Sequence, residues 1–162
     1  MKLKLRYVIV GCLGLVAGGV LTAHASNLDN IDRHITVEEL SPVQIDTLRR
    51  MYELLDATHP LVKVAFCESS LEHFEDDGVT AKRGDIDSRD TGVLQINLGY
   101  HERDATRLGL DVRVFEDNVT YGLHLLRTQG LQPWSASEYC WSDMRLPPPA
   151  SVGAQISSPE AS

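Results

Sequence analysis

Cys67 and Cys140 limit what this chain can fold into more than any other pair of residues. The sequence has three cysteines, and Cys12 lies in an N-terminal segment that reads as a removable leader. An even pair left in an exported chain reads as a disulfide. The bridge would close a loop of about 74 residues, worth at most roughly 4 kcal/mol in the chain-entropy account. It would also tether Glu68, the neighbour of Cys67, to the far end of the chain. The alternative is two buried free thiols.

The leader is expected to span 1–25. Lys2, Lys4 and Arg6 form a basic start, Tyr7 to Leu21 is mostly apolar, and Ala23-His24-Ala25 offers a small-residue cleavage site before Ser26. The apolar run is short for a membrane span and contains glycines, so a cleaved secretory signal is the primary reading. An uncleaved anchor is the alternative, and it is the one membrane attachment expected. Ile9-Val10-Gly11-Cys12 also resembles a lipobox, but few apolar residues precede the cysteine. The expected location is periplasmic or extracellular. Without the leader, 12 Lys and Arg face 23 Asp and Glu, a net charge of −11. That balance argues against a nucleic-acid partner, which needs clustered cations.

The mature chain reads as an irregular lead-in at 26–40, one domain at 41–142 and a disordered Pro/Ser/Ala-rich tail at 143–162. Ser41-Pro42 predicts the start of a helix over 42–57, with Val43, Ile45, Leu48, Met51, Tyr52 and Leu55 inward. His59-Pro60 breaks it, and a second helix runs from Leu61 to Ser70, with Val62, Ala65 and Phe66 inward. The acidic stretch 72–90 predicts a loop with a weak β-hairpin. Gly92 to Asn97 re-enters the core. Further helices are predicted at His101–Leu108, from Asp111 to Gln129 with Phe115, Val119, Gly122, Leu123 and Leu126 inward, and at Trp134–Trp141. Gly122 inside a helix suggests close packing. The fold class is mainly α.

Glu68 ends the second apolar helix, just before the polar stretch. Such a carboxylic acid can have its pKa raised, as a general acid acting on a glycosidic bond requires. The alternative is an ordinary surface carboxylate. Asp85, Asp87 and Asp90 are candidates for a second carboxylate, either activating water or acting as nucleophile. The alternative is a solvated acidic loop. Asp85 to Asp90 fails as a calcium loop because Arg89 occupies the fifth position and no glycine follows. The histidines lack zinc spacing, and His73, five residues after Glu68, reads as an exposed loop residue, with a place lining the cleft as the alternative. No metal or cofactor is expected. Ser69 and Ser70 lack a nucleophile elbow. Tyr100, Trp134, Tyr139 and Trp141 are candidates to stack on sugar faces, with Trp141 more readily packed against a disulfide at Cys140.

Three pieces together resemble the soluble lytic transglycosylase domain of the lysozyme-like superfamily: Glu68-Ser69, Gly92-Val93-Leu94-Gln95-Ile96-Asn97, and Asp117-Asn118 with Gly122 following. The resemblance implies an α+β lysozyme-like fold, helices around a cleft with a small β region. It implies cleavage of the β-1,4 bond between N-acetylmuramic acid and N-acetylglucosamine in peptidoglycan, with glycan strands as the partner. Glu68 would act as acid and then as base, giving a 1,6-anhydro product. Ser69 and Gln95 would hold the sugar or orient Glu68, with Asn97 and Tyr139 as further substrate-binding candidates. The usual Ala-Tyr-Asn-Ala-Gly segment is replaced here by Trp134-Ser135-Ala136-Ser137-Glu138-Tyr139-Cys140-Trp141. The alternatives are a hydrolytic lysozyme using a second Asp, or a catalytically silent saccharide-binding or scaffold protein. Small size and the lack of a wall-binding repeat suggest local opening of the wall, for a secretion, conjugation or pilus apparatus or for turnover.

Overall fold

Ser41 begins the first long helix as its neighbours dictate. Its hydroxyl accepts from the Gln44 backbone N–H at 3.3 Å, and Gln44 Oε1 accepts from the Ser41 N–H at 2.8 Å. With Pro42 in the first turn, this fixes α1 (Pro42–Leu54). Leu48 and Met51 are fully buried, but Val43 is 60% exposed because the first turn projects past the core. The computed structural model describes residues 33–156; the expected leader, the start of the lead-in and the last six residues lie outside them.

α2 (Pro60–Ser69) starts at His59, whose Nδ1 accepts from the Leu61 N–H. Leu61, Val62, Val64 and Ala65 are all buried, so the helix is covered on more than one face, as a central helix must be. It stops at two successive left-handed residues, Ser70 (φ 56°) and Leu71 (φ 60°). That conformation costs a leucine about 1–2 kcal/mol, and the complete burial of Leu71 offsets it.

The β structure is minimal. β1 (Arg33–His34) comes before α1 in the chain, and a 3-10 turn at Val37–Glu39 joins the two. β2 (Asp90–Thr91) pairs antiparallel with β3 (Ile96–Asn97), Asp90 opposite Asn97 and Thr91 opposite Ile96. The weak hairpin expected over 72–90 is present as an antiparallel bridge of Phe74 with Ala81, where the Glu75 N–H donates to the Thr80 carbonyl and the Lys82 N–H to the His73 carbonyl, both at 2.8 Å. Arg83 bridges to Thr91, and the β2–β3 pair starts at the end of this stretch and runs past it. Val93, Leu94 and Ile96 are buried, whereas most of 72–90 offers no such anchor.

α3 (Leu98–Arg107) begins earlier than predicted, because Asn97 Oδ1 caps it by accepting from the Gly99 N–H. α4 (Phe115–Gln129) begins later than predicted, because Asp111 is spent on a turn that accepts from the Arg113 N–H. Its buried face is Phe115, Asn118, Val119, Tyr121, Gly122 and Leu125, while Leu123 and Leu126 are only partly buried. A Cβ on Gly122 would lie 2.2 Å from Leu94 Cδ1, so the close packing expected there is present.

A 3-10 segment (Gln132–Ser137) leads into α5 (Glu138–Trp141). The described parts of 26–40 and 143–162 are not irregular. β4 (Met144–Arg145) pairs in parallel with β1, and α6 (Pro149–Ile156) packs against α1. Met144 and Val152 are buried, and the Tyr52 hydroxyl donates to the Pro147 carbonyl at 2.7 Å. Isolated apolar anchors in a Pro/Ser/Ala background hid this order. The described residues form a mainly helical fold, and no described helix is long and apolar enough to cross a membrane.

Candidate active site

Glu68 occupies the last turn of α2, and Cys67 beside it is bonded to Cys140 of α5 (Cα–Cα 6.0 Å). The bridge brings α5 and the preceding 3-10 turn against the end of α2. Ser137 lies one helical turn before Cys140, and its Oγ donates to Glu68 Oε1 at 2.5 Å. The same hydroxyl lies 3.1 Å from the Trp134 carbonyl. Burial pushes the Glu68 pKa up; the Ser137 hydrogen bond pulls the other way, and the charge of Asp90 adds to the rise. The net direction is upward, favouring the protonated acid.

Glu68 opens onto a groove of about 400 Å3. Asp90, Gln95 and Asn97 line its β2–β3 side, and Tyr100 and His101 of α3 line another wall. Trp134 also lines it; it is 3% exposed, and its Nε1 donates to the Leu94 carbonyl at 2.9 Å.

The 92–97 segment is held almost peptide by peptide. The Val93 N–H donates to His73 Nδ1 (3.1 Å), and the Ser69 hydroxyl lies 2.9 Å from the Val93 carbonyl. The Leu94 N–H donates to Asn118 Oδ1 (3.0 Å), while Asn118 Nδ2 donates to the carbonyls of Thr91 (2.9 Å) and Val112 (2.8 Å). Gly92 has φ +72°, and a Cβ there would sit 2.7 Å from both Asn118 and His73. These clamps hold Gln95 at φ 48°, with its Nε2 donating to the Gly92 carbonyl at 2.8 Å. A left-handed non-glycine residue facing a groove is strain held by its surroundings.

His73 is a correction to the sequence reading. It is buried, and because Nδ1 accepts from Val93, its Nε2 carries the hydrogen and donates to the Arg113 carbonyl at 2.9 Å. Burial holds its pKa below the ordinary value, so it is a neutral structural tie.

Glu68, Asp90, Gln95, Asn97, Tyr100 and Trp134 therefore line one groove, although Trp134 is too buried to offer an open ring face to a sugar. Ser69, Tyr139, Asp85, Asp87 and Trp141 do not line it. Ser69 is buried and bonds inward, to the Ala65 and Val93 carbonyls, so it anchors the helix end and does not contact the groove. Tyr139 is 86% exposed and lies outside the groove lining, because α5 turns it to solvent. Asp85 is exposed on the turn before β2. Asp87 is paired with Arg89 at 2.6 Å, and that guanidinium keeps its pKa well below the usual carboxylate range. Only Asp90 of the three aspartates lines the groove, and Asn97 Nδ2 donates to it at 2.7 Å. Trp141 packs against the core and donates to the Trp134 carbonyl at 3.1 Å.

The sequence reading gave no site role to Ser137 or His101, and it singled out Asn118 and His73 without their role as clamps of the 92–97 segment. For Ser137 a signal was available: it stands three residues before Cys140, and Cys67 adjoins Glu68. No protein-family model matches the chain, and no curated protein or solved structure matches it significantly.

Proposed function

We propose that this protein is an exported, lysozyme-like glycosidase acting on peptidoglycan, a lytic transglycosylase with Glu68 as its acid and base. The observation that carries the reading is a carboxyl group at a helix end, desolvated enough to raise its pKa, opening onto a groove beside Gln95. Protonated Glu68 gives its proton to the bridging oxygen of the β-1,4 bond as that bond breaks. The resulting carboxylate then takes the proton of the sugar's own 6-hydroxyl, whose oxygen closes on C1 to give a 1,6-anhydro end. Ser137 suits both states. Its O–H donates to ionised Glu68, and toward protonated Glu68 it can accept while donating to the Trp134 carbonyl. The disulfide fits an oxidising compartment. Local opening of the wall for an envelope-spanning apparatus, or wall turnover, is the process this activity would serve.

Asp90 supports a second reading, hydrolysis, since it lines the same groove and its charge acts on Glu68. Mass spectrometry of products from purified sacculi separates the two. Anhydro ends support the transglycosylase, and reducing ends abolished by Asp90→Asn support a hydrolase. Binding to sacculi with no cleavage would leave a saccharide-binding protein.

A further inference from the structure

His101 lines the same groove as Glu68, and its ring is anchored inward. His101 Nδ1 lies 3.1 Å from the Tyr121 hydroxyl, which in turn lies 3.2 Å from Asp104 Oδ2. A tyrosine hydroxyl has one hydrogen to give. Asp104 is an acceptor only: its Oδ1 takes a bond from Arg107 at 2.5 Å, and His124 Nε2 stands 3.5 Å from the Oδ2 that Tyr121 faces. If Tyr121 gave its hydrogen to His101, two oxygens would face each other at 3.2 Å with nothing between them. The hydrogen therefore lies on the Asp104 side, the stronger charge-assisted bond. His101 Nδ1 must then carry its own hydrogen and donate to Tyr121, leaving Nε2 with a bare lone pair. Desolvation raises the Asp104 pKa, but the Tyr121 and Arg107 bonds outweigh it and the net direction is down; the Tyr121 pKa is pushed up to about 12, with desolvation the largest cause. Both shifts agree with an anion accepting from a protonated phenol. No described residue bonds His101 Nε2.

We propose that His101 is a glycan-binding residue, held by Tyr121 and Asp104 as its Nδ1–H tautomer so that Nε2 meets the groove as an acceptor for a sugar hydroxyl or acetamido N–H. The ligand class rests on the glycosidase reading; the tautomer does not. Gln95, Tyr100 and His101 then form a recognition set distinct from the proton-transfer pair of Glu68 and Ser137.

The test uses the 15N-labelled protein, with Glu68→Gln to prevent turnover, and a β-1,4 tetramer of N-acetylglucosamine as probe. Long-range 1H–15N spectra of the free protein are expected to show His101 protonated at Nδ1 alone. Tyr121→Phe is expected to erase that bias. Saturating tetramer is expected to shift Nε2. His101→Phe, which keeps the ring and loses the acceptor, is expected to weaken binding about fivefold. His101→Gln, whose amide oxygen reaches the same place, is expected to restore most of it. An Nε2–H tautomer in the free protein overturns the relay. An unmoved Nε2 while the Trp134 indole shifts overturns the binding role. If no groove resonance shifts, the glycan reading fails and the ligand assignment falls with it, while the tautomer is still decided by the free-protein spectrum.

Discussion

At Glu68 two effects oppose each other. Partial burial disfavours the charge, and the Ser137 hydroxyl stabilises it. Removing the hydroxyl therefore raises the pKa further. For Ser137→Ala the high-pH limb of kcat/KM, where the general acid is lost by ionisation, is expected to move to higher pH. An unchanged or lowered limb would remove Ser137 from the site. The same raised pKa costs stability. The folded protein binds the Glu68 proton more tightly than the unfolded chain does, whose glutamates titrate near 4.3. Stability is then lost as pH rises from the unfolded pKa through the folded one. Glu68→Gln is neutral throughout, so it is expected to be more stable than wild type at pH 7, with the difference vanishing below about pH 4. Thermal melts across that range check the sign. Glu68 was legible at this scale because an apolar helix ending on an acid is a local pattern. Tyr139 was misjudged, because the direction of one side chain on a four-residue helix is set by a bridge and a kink that spacing does not encode.

Among the elements, the 92–97 segment depends most on others. Its carbonyls and N–H groups are satisfied by side chains from α2, α4 and the 3-10 turn (Ser69, Asn118, Trp134), with His73 from the loop after α2. Asn118→Leu would leave the Leu94 N–H and the Thr91 and Val112 carbonyls without their partner. A loss of about 3 kcal/mol or more is expected in chemical denaturation, with saccharide binding weakened through the disordering of Gln95. Gly122→Ala tests the helix contact. Its methyl would overlap Leu94, so a loss of about 1–3 kcal/mol is expected, partly recovered when Leu94→Val is added. Independent, additive effects would contradict the packing. Helix existence was readable from apolar period, and Gly122 and Gly92 marked close approach. The hairpin register was not readable, because it is fixed by Asn97 and Asp90 across the pair and by buried polar partners far away in the chain.

For the whole molecule, the bridge between Cys67 and Cys140 spans 73 residues and joins α2 to α5. The double Cys→Ser variant is expected to lose up to about 4 kcal/mol. It should lose activity under milder denaturing conditions than it loses helical signal, since Ser137 and Trp134 would no longer be held against Glu68. Simultaneous loss of both signals at wild-type stability would show that the bridge does not matter to the site. The tail order was illegible because a few scattered residues, Met144, Leu146, Pro147 and Val152, carry it, and they gain meaning only once β1 and α1 are in place to receive them. The groove itself is a product of the assembled chain: its walls come from α2, β2, β3, α3, α4 and the 3-10 turn. The most direct measurement is the release of soluble muropeptides from purified sacculi by wild type and by folded Glu68→Gln side by side. Wild type is expected to release anhydro-ended fragments, and the variant to be slower by about 10²-fold or more. Release by the variant at the wild-type rate would contradict the assignment of Glu68 as the acid.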